Sequence, residues 1–138
     1  MSVQKVEEYL KQFHIEHKIQ ILEQSSATVE LAAEAVGCEP ARIAKTLSFF
    51  VGPQPILIVT AGDVKVDNKK YKQEFGTKAK MISFRDVEKV IGHAPGGVCP
   101  FAVNRGIKVY LDQSLQRFQT VYPAAGSGNS AIEMNLKE

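Results

Sequence analysis

The sequence predicts a single α+β domain in which a mixed β-sheet curls toward a barrel and helices pack outside it. Short strand-like segments outnumber helical ones, and the helices are not spaced as regular βαβ crossovers. Residues 43–61 read as a hairpin with a nearly all-apolar second arm. With 138 residues, 44% hydrophobic and 23% charged, the chain is long enough to bury a core as one domain, residues 1–138, without a metal or a disulfide.

Val3, Val6, Leu10 and Phe13 recur at spacings of three and four, which predicts an amphipathic helix that His14–His17 ends. Lys18–Leu22 alternates polar and apolar residues as a half-buried strand does. Thr28 is a good N-cap, Glu30 suits the positive end of the helix dipole, and Leu31, Ala32, Ala35 and Val36 form the apolar stripe. Gly37 ends that helix through its tolerance of the left-handed region. Ile43–Val51 is a strand, Gly52–Pro55 a turn, and Ile56–Ala61 a strand expected to be buried on both faces. Asp67–Phe75 favours a short helix stopped by Gly76, with Tyr71 and Phe75 on its buried side. Met81–Phe84 is expected as a short strand and Arg85–Ile91 as one or two helical turns closed by Gly92. Further strands are expected at Ile107–Leu111, Phe118–Tyr122 and Ala131–Leu136, with a turn at Asp112–Ser114 and a flexible loop at Ala125–Ser130.

No apolar run approaches the roughly 20 residues that span a bilayer, and Glu7, Glu8 and Lys11 stand where a signal peptide is apolar, so a cytoplasmic protein with no membrane partner is expected. Cys38 and Cys99 are far apart and form no ligand spacing, which suits a reducing compartment and argues against structural zinc. His14 and His17 have no further ligand nearby and are expected at the surface. The net charge of +2 is too small to indicate a nucleic-acid partner by itself. Lys65, Lys69, Lys70, Lys72, Lys78 and Lys80, set against Asp67 and Glu74 alone, form a local excess that can attract phosphates.

Two features invite a site. The stretch Gly92–Phe101 holds three glycines and two prolines, so its backbone is shaped rather than periodic, and the amides of Gly96–Gly97 can approach a phosphate, a carboxylate or an oxyanion. Lys45 shares a strand face with Ile43, Leu47 and Phe49, where a lysine must either reach solvent or enter a polar pocket. No GxSxG elbow, HExxH or phosphate-binding loop is present. Cys99 with His93 as its base is a weak nucleophile candidate, and a buried, inert Cys99 is the better expectation.

These residues carry a resemblance. Ala32-Ala33-x-x-x-Gly37, Ile43-x-Lys45-Thr46-Leu47, Gly92-x-x-x-Gly96-Gly97-Val98-x-Pro100-Phe101, Asp112-x-Ser114-Leu115 and Ala125-Gly126 occur in the order seen in the YbaK/prolyl-tRNA editing family, which the chain resembles from about Thr28 to Met134. That family includes free-standing proteins and a domain inserted in bacterial prolyl-tRNA synthetases, with a curled mixed sheet flanked by helices. The resemblance implies a hydrolase without metal or organic cofactor that deacylates mischarged tRNA in trans, typically tRNA for proline carrying alanine or cysteine. Its partners would be aminoacyl-tRNA and, as a second candidate, prolyl-tRNA synthetase.

On matching positions, Lys45 would hold the tRNA 3′ end or the ester. The backbone of Gly96, Gly97, Val98 and Cys99 would line the catalytic wall, and Pro100, Ala125, Gly126 and Ser127 would bind substrate. Some members carry an acid in the last loop, whereas Ser127–Ala131 has none, so a carboxylate role there is in doubt. The alternative is a non-catalytic module that recruits tRNA or a synthetase with the same pocket. Which amino acid and which tRNA are involved, and the oligomeric state, are not legible at this level.

Overall fold

The structure, a computed structural model, describes residues 2–22, 25, 28–83, 85–93, 97–104 and 106–135. Among the described residues, four α-helices, α1 (Ser2–Lys11), α2 (Val29–Val36), α3 (Asn68–Phe75) and α4 (Val87–Ile91), accompany six strands. These are β1 (Ile19–Ile21), β2 (Ile43–Val51), β3 (Gln54–Ala61), β4 (Lys108–Leu111), β5 (Tyr122–Pro123) and β6 (Ser130–Ile132). A four-stranded sheet runs β4-β3-β2-β5, and β1 pairs with β6. The bridges Val121↔Met134 and Ala124↔Ala131 tie the end of one sheet to the other, so the sheet curls as expected.

The local signals in the sequence act where they are expected. Thr28 Oγ1 accepts from the Leu31 amide at 3.2 Å, and Gly37 closes α2 at φ 76°. Asp67 accepts from the amides of Lys69 and Lys70 to start α3. In α1, Val6 and Leu10 are buried against Cys99, Phe101 and Ile132.

β2 and β3 form a long antiparallel hairpin with Lys45 opposite Thr60 and Leu47 opposite Ile58. Ile56, Leu57, Val59, Thr60 and Ala61 are all buried, because β3 lies between β2 and β4 with cover on both faces. Ala44 shares the inner face with Val59, Ala61, Leu115 and Val121. On the outer face Ile43 packs under α2 with Ala32 and Ala33, and Phe49 packs under α3, its ring 5.2 Å from that of Tyr71. Tyr71 and Phe75 stack onward at 4.7 Å.

Several boundaries differ from the sequence expectation. Gln54 and Pro55 belong to β3 rather than to the turn; Pro55 is tolerated there because pairing with β4 begins only at Ile56. The strand expected at Met81–Phe84 is a single bridge from Met81 to Phe49, and Phe84 lies outside the described residues. The expected turn at Asp112–Ser114 opens a 3₁₀ helix over Gln113–Arg117, started by the Asp112 carboxylate accepting from the Ser114 amide at 3.0 Å. The strand expected over Phe118–Tyr122 is therefore reduced to Tyr122–Pro123. The final strand begins at Ser130 and ends at Ile132. Among the described residues, no helix is long and apolar enough to cross a membrane.

Candidate active site

A cleft of about 310 Å³ lies along the edge of β2 where β5 leaves it. Its floor is Ile43–Leu47, its outer wall is Thr28, Val29 and Ala32 at the start of α2, and its inner wall is Val98 with Ala124, Ser130 and Ala131. Tyr122 closes one end. α2 is held over this edge by a close backbone approach: a Cβ on Gly62 would come within 2.1 Å of the Pro40 carbonyl oxygen and 2.8 Å of Val29.

Lys45 is half-buried in the floor, on the face between α2 and α3. Among the described residues it pairs with no carboxylate. Asp63 feels Lys45 only weakly: its carboxyl is held below its usual range chiefly by the Arg117 guanidinium. Lys45 therefore keeps its hydrogen-bonding capacity for something in the cleft.

Gly96 lies outside the described residues. Gly97 is buried, and a Cβ on it would stand 2.5 Å from the Gly126 carbonyl carbon and the Ser127 amide nitrogen, so the two glycine-containing loops touch backbone to backbone. Val98 follows into the cleft wall. No hydrogen bond to another described residue engages the main-chain amides of Gly97, Val98 or Cys99.

Lys45 and Val98 thus meet at one cleft, and the Gly126 loop backs it. Ser127 serves that loop internally: its amide donates to Ser130 Oγ at 3.2 Å and its hydroxyl bonds Ser130 and Asn129 at 2.9 Å, which leaves Ser130 as the residue lining the cleft. Ala125 is fully buried in the core beside Cys99. Pro100 lies on a different, 70 Å³ cavity bounded by Leu115 and Met134. Neither Ala125 nor Pro100 lines the cleft, because both project into the packing behind it.

Cys99 and His93 do approach each other, Sγ to Nε2 3.6 Å, but both are fully buried. Burial pushes the Cys99 thiol up to about 12, the direction opposite to that of an activated nucleophile. His93 Nε2 donates to the Phe101 carbonyl at 2.6 Å, and its Nδ1 has no partner among the described residues. Burial holds the imidazole below its ordinary pKa, with Lys5 acting in the same direction and the Phe101 carbonyl against it.

This has a pH consequence. A histidine whose folded pKa is depressed favours the fold in its neutral form, so its contribution is complete above the unfolded value near 6.5 and is lost as pH falls below it. Urea unfolding at pH 7.5 and 5.5 is expected to show a lower midpoint at 5.5, and His93→Gln is expected to flatten the difference. Equal midpoints for the wild-type protein would contradict the neutral buried state.

Sequence reasoning did not single out Thr28, Thr46, Tyr122 or Ser130 as cleft residues. Tyr122 is braced by the Arg42 guanidinium 5.2 Å from its ring centre and by donation from its hydroxyl to Glu133 at 2.8 Å. The first of these contacts joins positions 80 residues apart and the second positions 11 apart, and no local pattern signals either. The six lysines between 65 and 80 are exposed, and Lys65 and Lys70 border a separate 740 Å³ groove between α3 and β4.

The aminoacyl-tRNA editing domain model matches residues 23–138. The chain is 54% identical to the uncharacterized protein YwhH of Bacillus subtilis (strain 168), over all of this chain and 88% of that protein. It is 33% identical to the proline–tRNA ligase of Limosilactobacillus fermentum over 95 residues, which are 64% of this chain and 17% of the ligase. Among solved structures, a candidate trans-editing enzyme for prolyl tRNA synthetase superimposes with a TM-score of 0.89 at 28% identity, covering 99% of this chain and 87% of that one.

Proposed function

The chain belongs to the aminoacyl-tRNA editing domain family, and from that premise we propose that it hydrolyses the ester of mischarged aminoacyl-tRNA in trans, with alanyl- or cysteinyl-tRNA for proline as substrate. The observation that supports this best is that one cleft is lined both by Lys45, which has no carboxylate partner among the described residues, and by Val98, the neighbour of Gly97.

An aminoacyl ester is already activated, so its hydrolysis needs positioning and charge stabilisation more than a protein nucleophile. Water, positioned directly or by the substrate's own ribose hydroxyl, adds to the ester carbonyl carbon. The carbon–oxygen bond to the ribose then breaks, and the leaving oxygen takes a proton, releasing a free amino acid and tRNA with its terminal hydroxyl. Lys45 supplies positive charge to the 3′-terminal phosphate or the ester oxygen. The Val98 stretch of the cleft wall adds main-chain amide dipoles beside the carbonyl oxygen as negative charge develops. The raised Cys99 thiol takes no chemical part. The small apolar side chains of Ala32, Ala44, Val98, Ala124 and Ala131 in the lining suit an apolar substrate side chain such as that of alanine.

The test is a deacylation assay on a panel of mischarged tRNAs, with protein well below substrate. Catalytic turnover of the alanyl or cysteinyl ester is the expected result. Tight tRNA binding with unchanged ester lifetimes across the panel would replace this reading with a recruiting module.

A further inference from the structure

We propose that the unpaired edge of β2 at Thr46 is the seat of the aminoacyl group, which docks as a one-residue extension of the sheet. In this position its α-ammonium donates to the Thr46 main-chain carbonyl, and its carbonyl oxygen accepts from the Thr46 amide. This rests on the hydrolase reading above and names how that site recognises an amino acid.

The argument begins with strand alternation. Along β2, the groups facing away from β3 belong to the even-numbered residues. Ala44 meets Pro123 of β5, the Phe50 amide donates to Lys80 at 2.9 Å, and the Ser48 carbonyl accepts from Ile82 at 3.0 Å. Thr46 lies between these two pairings. β5 stops at Pro123, and the next residue, Ala124, bridges to Ala131 in the other sheet, while the 80–82 segment reaches only as far as Ser48. The N–H and C=O of Thr46 consequently face an opening with no described backbone partner. From Ala44 to Ser48 this opening spans about 13 Å at the usual rise per strand residue.

Two independent observations mark the opening as a ligand position. Thr46 lines the cleft, and its Oγ1 is buried without a hydrogen-bond partner among the described residues, a costly arrangement unless something completes it. The gap also contains a single outward-facing residue, Thr46, between the paired positions Ala44 and Ser48. In an antiparallel ladder a residue opposite a bonded position exchanges both of its hydrogen bonds with that partner, so one α-amino acid satisfies both Thr46 groups at once. With the amino acid seated there, its ester lies beside the neighbouring floor residue Lys45 and the Val98 wall.

The test combines two esters and one side-chain change. N-acetylation of alanyl-tRNA removes the ammonium donor and adds bulk at the strand edge, and is expected to slow hydrolysis by at least about 100-fold, as losing a charge-assisted bond in a polar site does. Thr46→Val keeps the shape of the side chain and removes the orphaned hydroxyl. It is expected to hold or raise the melting temperature while lowering kcat/KM for alanyl-tRNA about 10-fold, whereas a purely structural role for Thr46 would lower the melting temperature.

The main chain is read directly by titrating the protein with 3′-alanylamido-3′-deoxyadenosine, a stable amide in place of the ester, and following the backbone amide resonances. Thr46 is expected among the largest shifts. If esters are cleaved but the Thr46 amide stays still, or N-acetylalanyl-tRNA is cleaved as fast as alanyl-tRNA, the edge site is wrong and the hydrolase reading survives. If no ester is cleaved yet the Thr46 amide moves, the hydrolase reading falls and the edge site stands.

Discussion

Replacing Lys45 by alanine is expected to lower kcat/KM for alanyl-tRNA by about 10²- to 10³-fold, the range for removing one preorganised group that meets developing charge. The expectation follows from position. Lys45 is a half-buried lysine, third in β2, free of carboxylate partners among the described residues, on the floor of the cleft that Val98 also lines. A strand-end lysine reaching solvent would tolerate the change. Because no ion pair or hydrogen bond among the described residues is broken, Lys45→Ala is expected to fold with a melting temperature close to that of the wild-type protein, so the loss reads as chemistry and binding. Single-turnover deacylation separates the two: a ground-state role raises the concentration needed for half-maximal rate, whereas a role in the transition state lowers the limiting rate. Wild-type rates in Lys45→Ala would remove the residue from the mechanism.

The second large effect belongs to Gly97. An alanine there would put its Cβ 2.5 Å from the Gly126 carbonyl carbon and the Ser127 amide nitrogen and 2.7 Å from the Gly126 oxygen. All three atoms are backbone, so no side chain can rotate away, and the two loops must separate. Overpacking of this kind costs about 3 kcal/mol, which corresponds to a fall in melting temperature on the order of 10 °C for a domain of this size. Separation also shifts Val98 relative to Lys45, so deacylation by Gly97→Ala is expected to fall even at a temperature where the variant is fully folded. A melting temperature within about 2 °C of wild type would show that the loops part at little cost.

How much of this could be read in advance depends on how local each signal is. The cap at Thr28, the glycine stops at Gly37 and Gly76, the helix that ends at Phe75 and the β2–β3 hairpin are written in contiguous residues, and all five are present, with Asp67 as the cap of α3 and not its first helical residue. The face assignment of Lys45 with Ile43, Leu47 and Phe49 also holds, since alternation in a strand is a covalent property of the backbone. The short elements behaved differently. Phe118–Val121 has strand-forming composition, but the Asp112 carboxylate caps a 3₁₀ helix just before it and displaces the strand start to Tyr122. Among the expected substrate contacts, Ala125 turned into the core and Pro100 onto another cavity, because a motif places residues along the chain without saying which way each side chain projects.

By itself, then, the sequence determined the class of the fold, the helices and the long hairpin, and the lysine and glycine-containing loop around which a site could form. Those features depend on interactions within a few residues. Only the tertiary structure decided that a cleft exists and what lines it. The cleft arises because β5 leaves β2 after Ala44, residues 80–82 rejoin it only beyond Thr46, and Gly97 lies against Gly126. Each of these is a contact between segments tens of residues apart, set by which strand ends where in the curled sheet, and that depends on the packing of the whole domain.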